Sequence, residues 1–95
     1  MKVYKVYDDE WEELFGPNQL IDFCRGQMAD LLENYTFAEI DDDIDFYIEA
    51  ENRVKIKNLL REFNHNSDAL NNISEELAIE LLQLRFYMVK EIELY

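Results

Sequence analysis

The chain has 95 residues, almost half of them hydrophobic, and a formal net charge of −13 at pH 7. These values predict a single domain, residues 1–95, with one modest core. They exclude a disordered acidic tail, which would hold too few apolar residues to fold. The sequence has one cysteine, no apolar run of membrane-spanning length and no signal-peptide pattern. We therefore expect a soluble, cytoplasmic protein.

The acidic residues are concentrated in the first half of the chain. Residues 1–50 hold fourteen acids and three bases, whereas residues 51–95 hold eight acids and six bases. A field of this sign repels nucleic acid and anionic membranes and steers the protein toward basic partners. Acidic residues also keep many proteins soluble without any further role, so the charge leaves two interpretations open.

The N-terminal segment shows a strand signal followed by a helix signal. Lys2–Tyr7 is rich in β-branched and aromatic residues and is predicted to be a short strand. Asp8 and Asp9 follow at a helix-capping position. The acids that come next lie where a helix dipole favours them, so a helical turn is expected at Glu10–Phe15.

A long helix is predicted from Pro17 to about Asn34. Proline suits the first position of a helix, and apolar residues recur in this segment at the helical period. The stripe expected to face the core consists of Leu20, Cys24, Met28, Leu31 and Tyr35, flanked by Ile21 and Leu32. The cysteine of this stripe is expected to be a buried core residue rather than a nucleophile.

The stretch Ile40–Lys57 is compatible with two structures. In the first, apolar or small residues occupy every second position, which is the strand period, and a hairpin runs from Asp45 to Lys57. Its register places Glu49 opposite Arg53, and the two ends of the hairpin opposite each other. Both are favourable cross-strand charge pairs.

The alternative is a helix from Phe37 to about Ala50. Thr36 and Glu39 match a capping box, and the helix leaves Phe46 among carboxylates on its polar side. We favour the hairpin, because β-branched and aromatic residues dominate and because a run of aspartates forms helices poorly.

The last third of the chain is predicted to contain helices, a loop and a strand. Asn58–Phe63 reads as a short helix, residues 64–72 as a polar loop, and Ser74 as the cap of a further helix. Phe86–Tyr95 is predicted to be a strand, and a continued helix is its alternative. We favour the strand, because Lys2–Tyr7 needs a neighbour and an isolated strand is unstable. The pairing would place the acids of the last strand beside the lysines of the first.

Taken together, these elements predict an α+β domain of order β-α-β-β-α-β with a central acidic-to-basic hairpin. The order resembles the ferredoxin-like arrangement, which hosts many unrelated functions. RNA-recognition domains share that order, but their basic-aromatic strand motif is absent here and the charge has the opposite sign. The alternative architecture is mostly helical with a two-stranded terminal sheet.

The sequence offers no catalytic set, so we expect no enzymatic activity and no cofactor. It has one histidine, one cysteine and no glycine-rich phosphate loop. Asp41, Asp43 and Asp45 match three ligand positions of an EF-hand calcium loop. However, Phe46 replaces the required glycine and Asn52 replaces the bidentate glutamate, so no specific metal site is expected.

Two acidic clusters with interleaved aromatic residues are the candidate partner-binding surface. An acidic row of this density approaches the charge spacing along one DNA strand, and aromatic side chains could anchor a contact that charge alone would leave weak. The expected partner-binding residues of the first cluster are Asp8, Asp9, Glu10, Trp11, Glu12 and Glu13. Those in and beside the second cluster are Glu39, Asp41, Asp42, Asp43, Asp45, Phe46, Tyr47 and Glu49.

This composition resembles that of small acidic inhibitors from phages and mobile elements, such as anti-restriction and anti-CRISPR proteins. The resemblance implies a non-enzymatic DNA mimic that occupies the nucleic-acid groove of a basic host protein, with Trp11, Phe46 and Tyr47 as anchors. The alternative is an assembly module, antitoxin-like or homodimeric, whose acidity only serves solubility. Exposed aromatic residues among the acids would favour the inhibitor, and a separate apolar patch would favour the assembly module.

Overall fold

The structure, a computed structural model, describes residues 1–94; Tyr95, which the expected last strand includes, lies outside the described residues. The elements in chain order are β1 (Lys2–Tyr7), β2 (Glu12–Phe15), α1 (Pro17–Asn34), α2 (Phe37–Tyr47), α3 (Ala50–Phe63), α4 (Glu75–Gln83) and β3 (Met88–Glu93). The predicted α+β class is confirmed. Within residues 1–94, no helix is long and apolar enough to cross a membrane.

The three strands form one antiparallel sheet in the order β2-β1-β3. The predicted pairing of the first and last strands is confirmed, with Lys2 opposite Glu93. The side chain of Lys2 forms an ion pair with Glu91 at 2.9 Å, which places the acids of β3 beside the lysines of β1 in part as expected. Lys5 pairs instead with Glu12 of β2, at 3.0 Å.

The predicted helical turn at Glu10–Phe15 is wrong, because the chain reverses there and forms β2. The carboxylate of Asp8 accepts hydrogen bonds from the N–H groups of Glu10 and Trp11, each at 2.9 Å. The aspartate therefore caps a tight loop rather than a helix. A segment this short does not reveal its period, and acids after an aspartate suit either structure.

The central hairpin predicted from Asp45 to Lys57 is also wrong. Its first half is the end of α2 and its second half lies in α3, with the turn between the two helices at residues 48–49. The capping box expected for the alternative helix from Phe37 to about Ala50 is formed. Thr36 Oγ1 accepts a hydrogen bond from the N–H of Glu39 at 3.2 Å, and Glu39 Oε1 accepts one from the N–H of Thr36 at 3.1 Å.

The order of elements is therefore β-β-α-α-α-α-β rather than β-α-β-β-α-β. The resemblance to the ferredoxin-like arrangement does not hold, because two strands of that arrangement are helical here. The structure is closer to the mostly helical alternative, although its terminal sheet has three strands rather than two.

Glu39 gives the start of α2 a pH-dependent contribution to stability. Hydrogen bonds from the N–H and then the hydroxyl of Thr36 lower the pKa of Glu39 from its ordinary value of 4.5. A carboxylate of this kind stabilises the fold above its unfolded pKa and loses that contribution as the pH falls through its folded pKa.

We therefore expect the stability difference between the parent protein and Glu39→Gln to shrink as the pH falls from about 6 to about 3. Glutamine keeps an acceptor oxygen for both hydrogen bonds but does not ionise, and the other acids titrate equally in the two proteins. Urea titrations at several pH values measure the free energies of unfolding. A difference that stays constant across this range would contradict the prediction.

The core lies between one face of the sheet and the helices. Tyr4 and Val6 of β1 are buried there. The stripe predicted for α1 is buried except at Tyr35, which is 47% exposed. Cys24 is fully buried as predicted, and burial raises the pKa of its thiol to about 12, so the thiol stays neutral. The buried hydrophobic residues of the helices are Leu20, Cys24, Met28, Leu31, Ile40, Ile44, Ile56, Leu60, Leu77, Ala78, Leu81 and Leu82.

Candidate functional site

Three of the expected partner-binding acids are engaged in ion pairs within the chain. Asp41 pairs with Arg61 and Asp45 pairs with Lys57, each at 2.7 Å, and both pairs join α2 to α3. Glu12 is held by a lysine of β1. The contact predicted between Asp45 and Lys57 thus exists, but it connects two helices rather than two strands. These carboxylates have less charge to offer a partner than the unpaired ones.

Four other expected acids lie on or beside the polar side of α2. Glu39 is occupied by the helix cap. Asp42, Asp43 and Glu49 form no ion pair within residues 1–94. Helical spacing places the first three of these acids around Phe46, which is 79% exposed. The second cluster therefore retains negative charge, arranged around one exposed ring.

Three exposed aromatic side chains form a row across the molecule. The rings of Phe46 and Tyr47 meet edge to face, with centroids 4.8 Å apart and planes at 76°. Tyr47 then meets Phe86 in the same manner, at 5.6 Å and 85°. All three are at least 40% exposed. Exposed aromatic residues in contact with one another are typical of a binding surface.

Phe86 is held in a backbone conformation that bulky residues rarely adopt. Its φ is +67°, the only positive value at a non-glycine residue in the described chain. It ends α4 in a Schellman motif, because its N–H donates to the carbonyl of Gln83 at 3.0 Å and the N–H of Tyr87 donates to the carbonyl of Leu82 at 3.2 Å. Glycine usually occupies this position. Strain at such a position is a frequent mark of a functional surface.

The aromatic row opens into a cleft whose other wall is acidic. The cleft has a volume of about 660 Å³. Its walls come from the β1–β2 loop, the end of α2 and the segment between α4 and β3. The lining residues are Asp8, Asp9, Glu10, Tyr47, Gln83, Arg85, Phe86, Tyr87 and Met88. We call this site the acid-rimmed cleft.

The charged residues of the acid-rimmed cleft differ in whether they are already engaged by other groups of the chain. Asp8 is committed to the loop it caps, whereas Asp9 and Glu10 are exposed and form no ion pair within the described residues. The one basic residue of the lining, Arg85, donates to Asp30 at 2.6 Å and is thereby neutralised. The cleft as a whole is therefore negative.

A second, smaller depression lies on the other side of Phe86. It has a volume of about 290 Å³ and includes Asp43 and Tyr35 in its lining. Phe86 thus lines two depressions, and each includes at least one acidic residue, Asp43 in the smaller one. An acid of the second cluster and the acids of the first cluster flank the same ring.

The three expected anchors have different roles. Tyr47 lines the cleft and Phe46 packs on it. Trp11 is 37% exposed, but its ring stacks on Phe23 at 5.6 Å and contacts Tyr87 at 5.7 Å, and it is not part of the cleft lining. The tryptophan therefore fixes the position of the cleft wall rather than lining the cleft. Glu13 lies on β2 and lines no part of the cleft.

Sequence reasoning missed the contribution of Phe86 and Met88. One signal was present. A helix that begins at Ser74 must turn back toward a strand before residue 88, yet this segment contains neither glycine nor asparagine, the residues that tolerate a left-handed conformation. If this helix ended in a left-handed residue, as many helices do, a bulky residue would have to adopt that conformation, although its position could not be assigned.

The three aspartates that matched an EF-hand loop lie on a helix and do not converge. Two of them are paired with bases of α3, and Asp43 faces the smaller depression. Over residues 1–94, no group of three or more histidine, cysteine or acidic side chains is placed to hold a metal ion. The cleft is lined by acidic residues and by exposed aromatic residues, a combination of groups that can bind cations.

Comparisons of the chain with protein families, with curated proteins and with solved structures found no match.

Proposed function

We propose that the protein is a non-enzymatic, cytoplasmic binding protein that uses the acid-rimmed cleft and the acids of α2 to occupy a basic partner. One observation carries this proposal: the exposed Tyr47 and Phe86 line the same cleft as Asp9 and Glu10, which form no ion pair within residues 1–94. Buried aromatic anchors supply affinity, and surrounding charge supplies steering and selectivity.

The partner class that fits best is a nucleic-acid-binding protein, inhibited as anti-restriction and anti-CRISPR proteins inhibit theirs. A net charge of −13 on 95 residues favours a strongly basic partner surface, and a basic patch is typical of a nucleic-acid-binding groove. The free carboxylates then stand in for phosphates. The acids paired across α2 and α3 take a smaller part.

The test uses two double charge reversals of equal size. Asp9→Lys with Glu10→Lys changes the cleft, and Glu33→Lys with Glu62→Lys changes two exposed acids that form no ion pair within residues 1–94 and do not line the cleft. A triple reversal at residues 41–43 is less informative, because it would place a lysine beside Arg61.

With a partner captured at low salt, the cleft variant is expected to associate roughly tenfold more slowly or worse, and the control only slightly more slowly. Binding should weaken between 0.1 M and 1 M salt, because the screening length falls from about 10 Å to about 3 Å. Duplex DNA should displace the protein. Surface plasmon resonance measures all three effects. If DNA does not compete, or both variants bind equally, DNA mimicry is wrong.

The assembly module is the second candidate, and one observation favours it. Leu14, on β2, and Leu94, just after β3, are 57% and 44% exposed, and neither lines the acid-rimmed cleft. The outer edge of β3 has no strand beside it within the described chain. A partner that binds this sheet, and that ignores both charge reversals, would replace the first proposal with the second.

A further inference from the structure

The acid-rimmed cleft has an aromatic corner. The planes of Tyr47 and Phe86 are nearly perpendicular, at 85°, with centroids 5.6 Å apart. Both rings line the cleft, and Phe86 is 66% exposed. A flat group that enters the corner can therefore stack on one ring while its edge approaches the other.

The charge of the cleft decides which flat group fits. The ring faces carry the negative side of the aromatic quadrupole, which attracts cations. Asp9 and Glu10 add full negative charges on the opposite wall, and Arg85 is already occupied by Asp30. An anion is repelled, and a neutral apolar group leaves the carboxylates without a partner. A cationic side chain satisfies both walls.

Arginine meets these requirements better than lysine. Its guanidinium is planar, so it stacks on a ring face, and its N–H donors diverge in one plane, so they reach carboxylates while the stack is kept. An ammonium group is a compact, strongly hydrated charge that has no face to stack. The corner therefore discriminates between two side chains of equal charge.

We propose that the acid-rimmed cleft is a slot for a single arginine side chain of the partner, stacked against Phe86 and Tyr47 and hydrogen-bonded by Asp9 and Glu10. This inference rests on the proposed function, since it names the group by which a basic partner is recognised. Loss of Phe86 removes the stacking surface but leaves every carboxylate in place, so selectivity for arginine should disappear while attraction to positive charge persists.

The probes are two capped pentapeptides, Gly-Ser-Arg-Ser-Gly and Gly-Ser-Lys-Ser-Gly, titrated into the ¹⁵N-labelled protein at low salt. We expect the arginine peptide to shift the amide signals of residues 86–88 and to bind about fivefold more tightly than the lysine peptide. Phe86→Ala should reduce this ratio to about one. Val54→Ala, which alters a 70% exposed residue of α3 outside the cleft, should leave it unchanged.

Equal affinities for the two peptides, or a preference that survives both Phe86→Ala and Tyr47→Leu, would overturn the arginine slot. So would the absence of shifts at residues 86–88 with either peptide. Each of these results leaves the proposed function to be judged separately by DNA competition for the captured partner. Conversely, a clear arginine preference with no DNA competition keeps the slot and rejects DNA mimicry.

Discussion

Replacement of Leu81 by alanine should lower the free energy of unfolding by about 3–5 kcal/mol. The side chain is fully buried on α4, which packs against α1 more extensively than any other two helices pack. Truncation removes its transfer free energy and leaves a cavity between two helices. A domain of this size has a total stability of roughly 5–14 kcal/mol, so the change removes a large share of it.

Urea unfolding followed by circular dichroism measures this effect. Leu14→Ala is the matched control, since the same truncation at a residue that is 57% exposed should change stability by no more than about 0.5 kcal/mol. A loss at Leu81 below about 1 kcal/mol, or an equal loss at Leu14, would mean that α4 does not pack on α1 as the structure shows.

Phe86→Gly should stabilise the protein while abolishing its preference for arginine. A left-handed conformation costs an L-residue about 1–2 kcal/mol, and glycine adopts it without that cost. Phe86 has a φ of +67° and is 66% exposed, so little packing is lost when its ring is removed. We expect Phe86→Gly to be about 1 kcal/mol more stable than Phe86→Ala.

The comparison of these two variants separates strain from recognition. Both lack the ring, so both should bind the arginine and lysine peptides equally, and only their stabilities should differ. The same urea titrations measure the difference. If the alanine variant is as stable as the glycine variant, the backbone at Phe86 is not strained. Backbone strain then no longer marks Phe86 as part of a functional surface.

The helix caps could be predicted because they depend on local chemistry. The strand pairing could be predicted because an isolated strand is unstable and requires a neighbour. Ser74 accepts a hydrogen bond from the N–H of Leu77 at 3.1 Å, as its position before two glutamates indicated. Lys2–Tyr7 had to find a neighbouring strand, and the only other strand-like segment outside the central stretch was the last one.

The central hairpin could not be excluded from alternation alone. Ile44 and Ile48 are four residues apart, so they share a face in a helix as well as in a strand, and both are buried. Phe46 decides between the two structures, because it lies on the core side of a strand but on the solvent side of the helix. An exposed phenylalanine therefore looked like a core residue, because alternation does not show which face of an element is buried.

The candidate site could be predicted from the sequence only in part, for a related reason. The acids and Tyr47 were identified because charge and aromatic content are visible in the sequence. Phe86 was not, because its proximity to Tyr47 depends on how α4 and α2 pack, and those helices are separated by some thirty residues.

The order of strands in the sheet has a consequence for how the protein folds. β1 reaches β2 across a four-residue loop, whereas about 80 residues lie between β1 and β3. Closing the longer loop costs roughly 2.7 kcal/mol more chain entropy than closing the shorter one. The β1–β2 pair can therefore form from local contacts, whereas the pairing of β3 with β1, like the packing of α4 on α1, joins segments that are far apart in the sequence. We therefore expect the segment between α4 and β3, which lines the acid-rimmed cleft, to become ordered late in folding, after the β1–β2 pair.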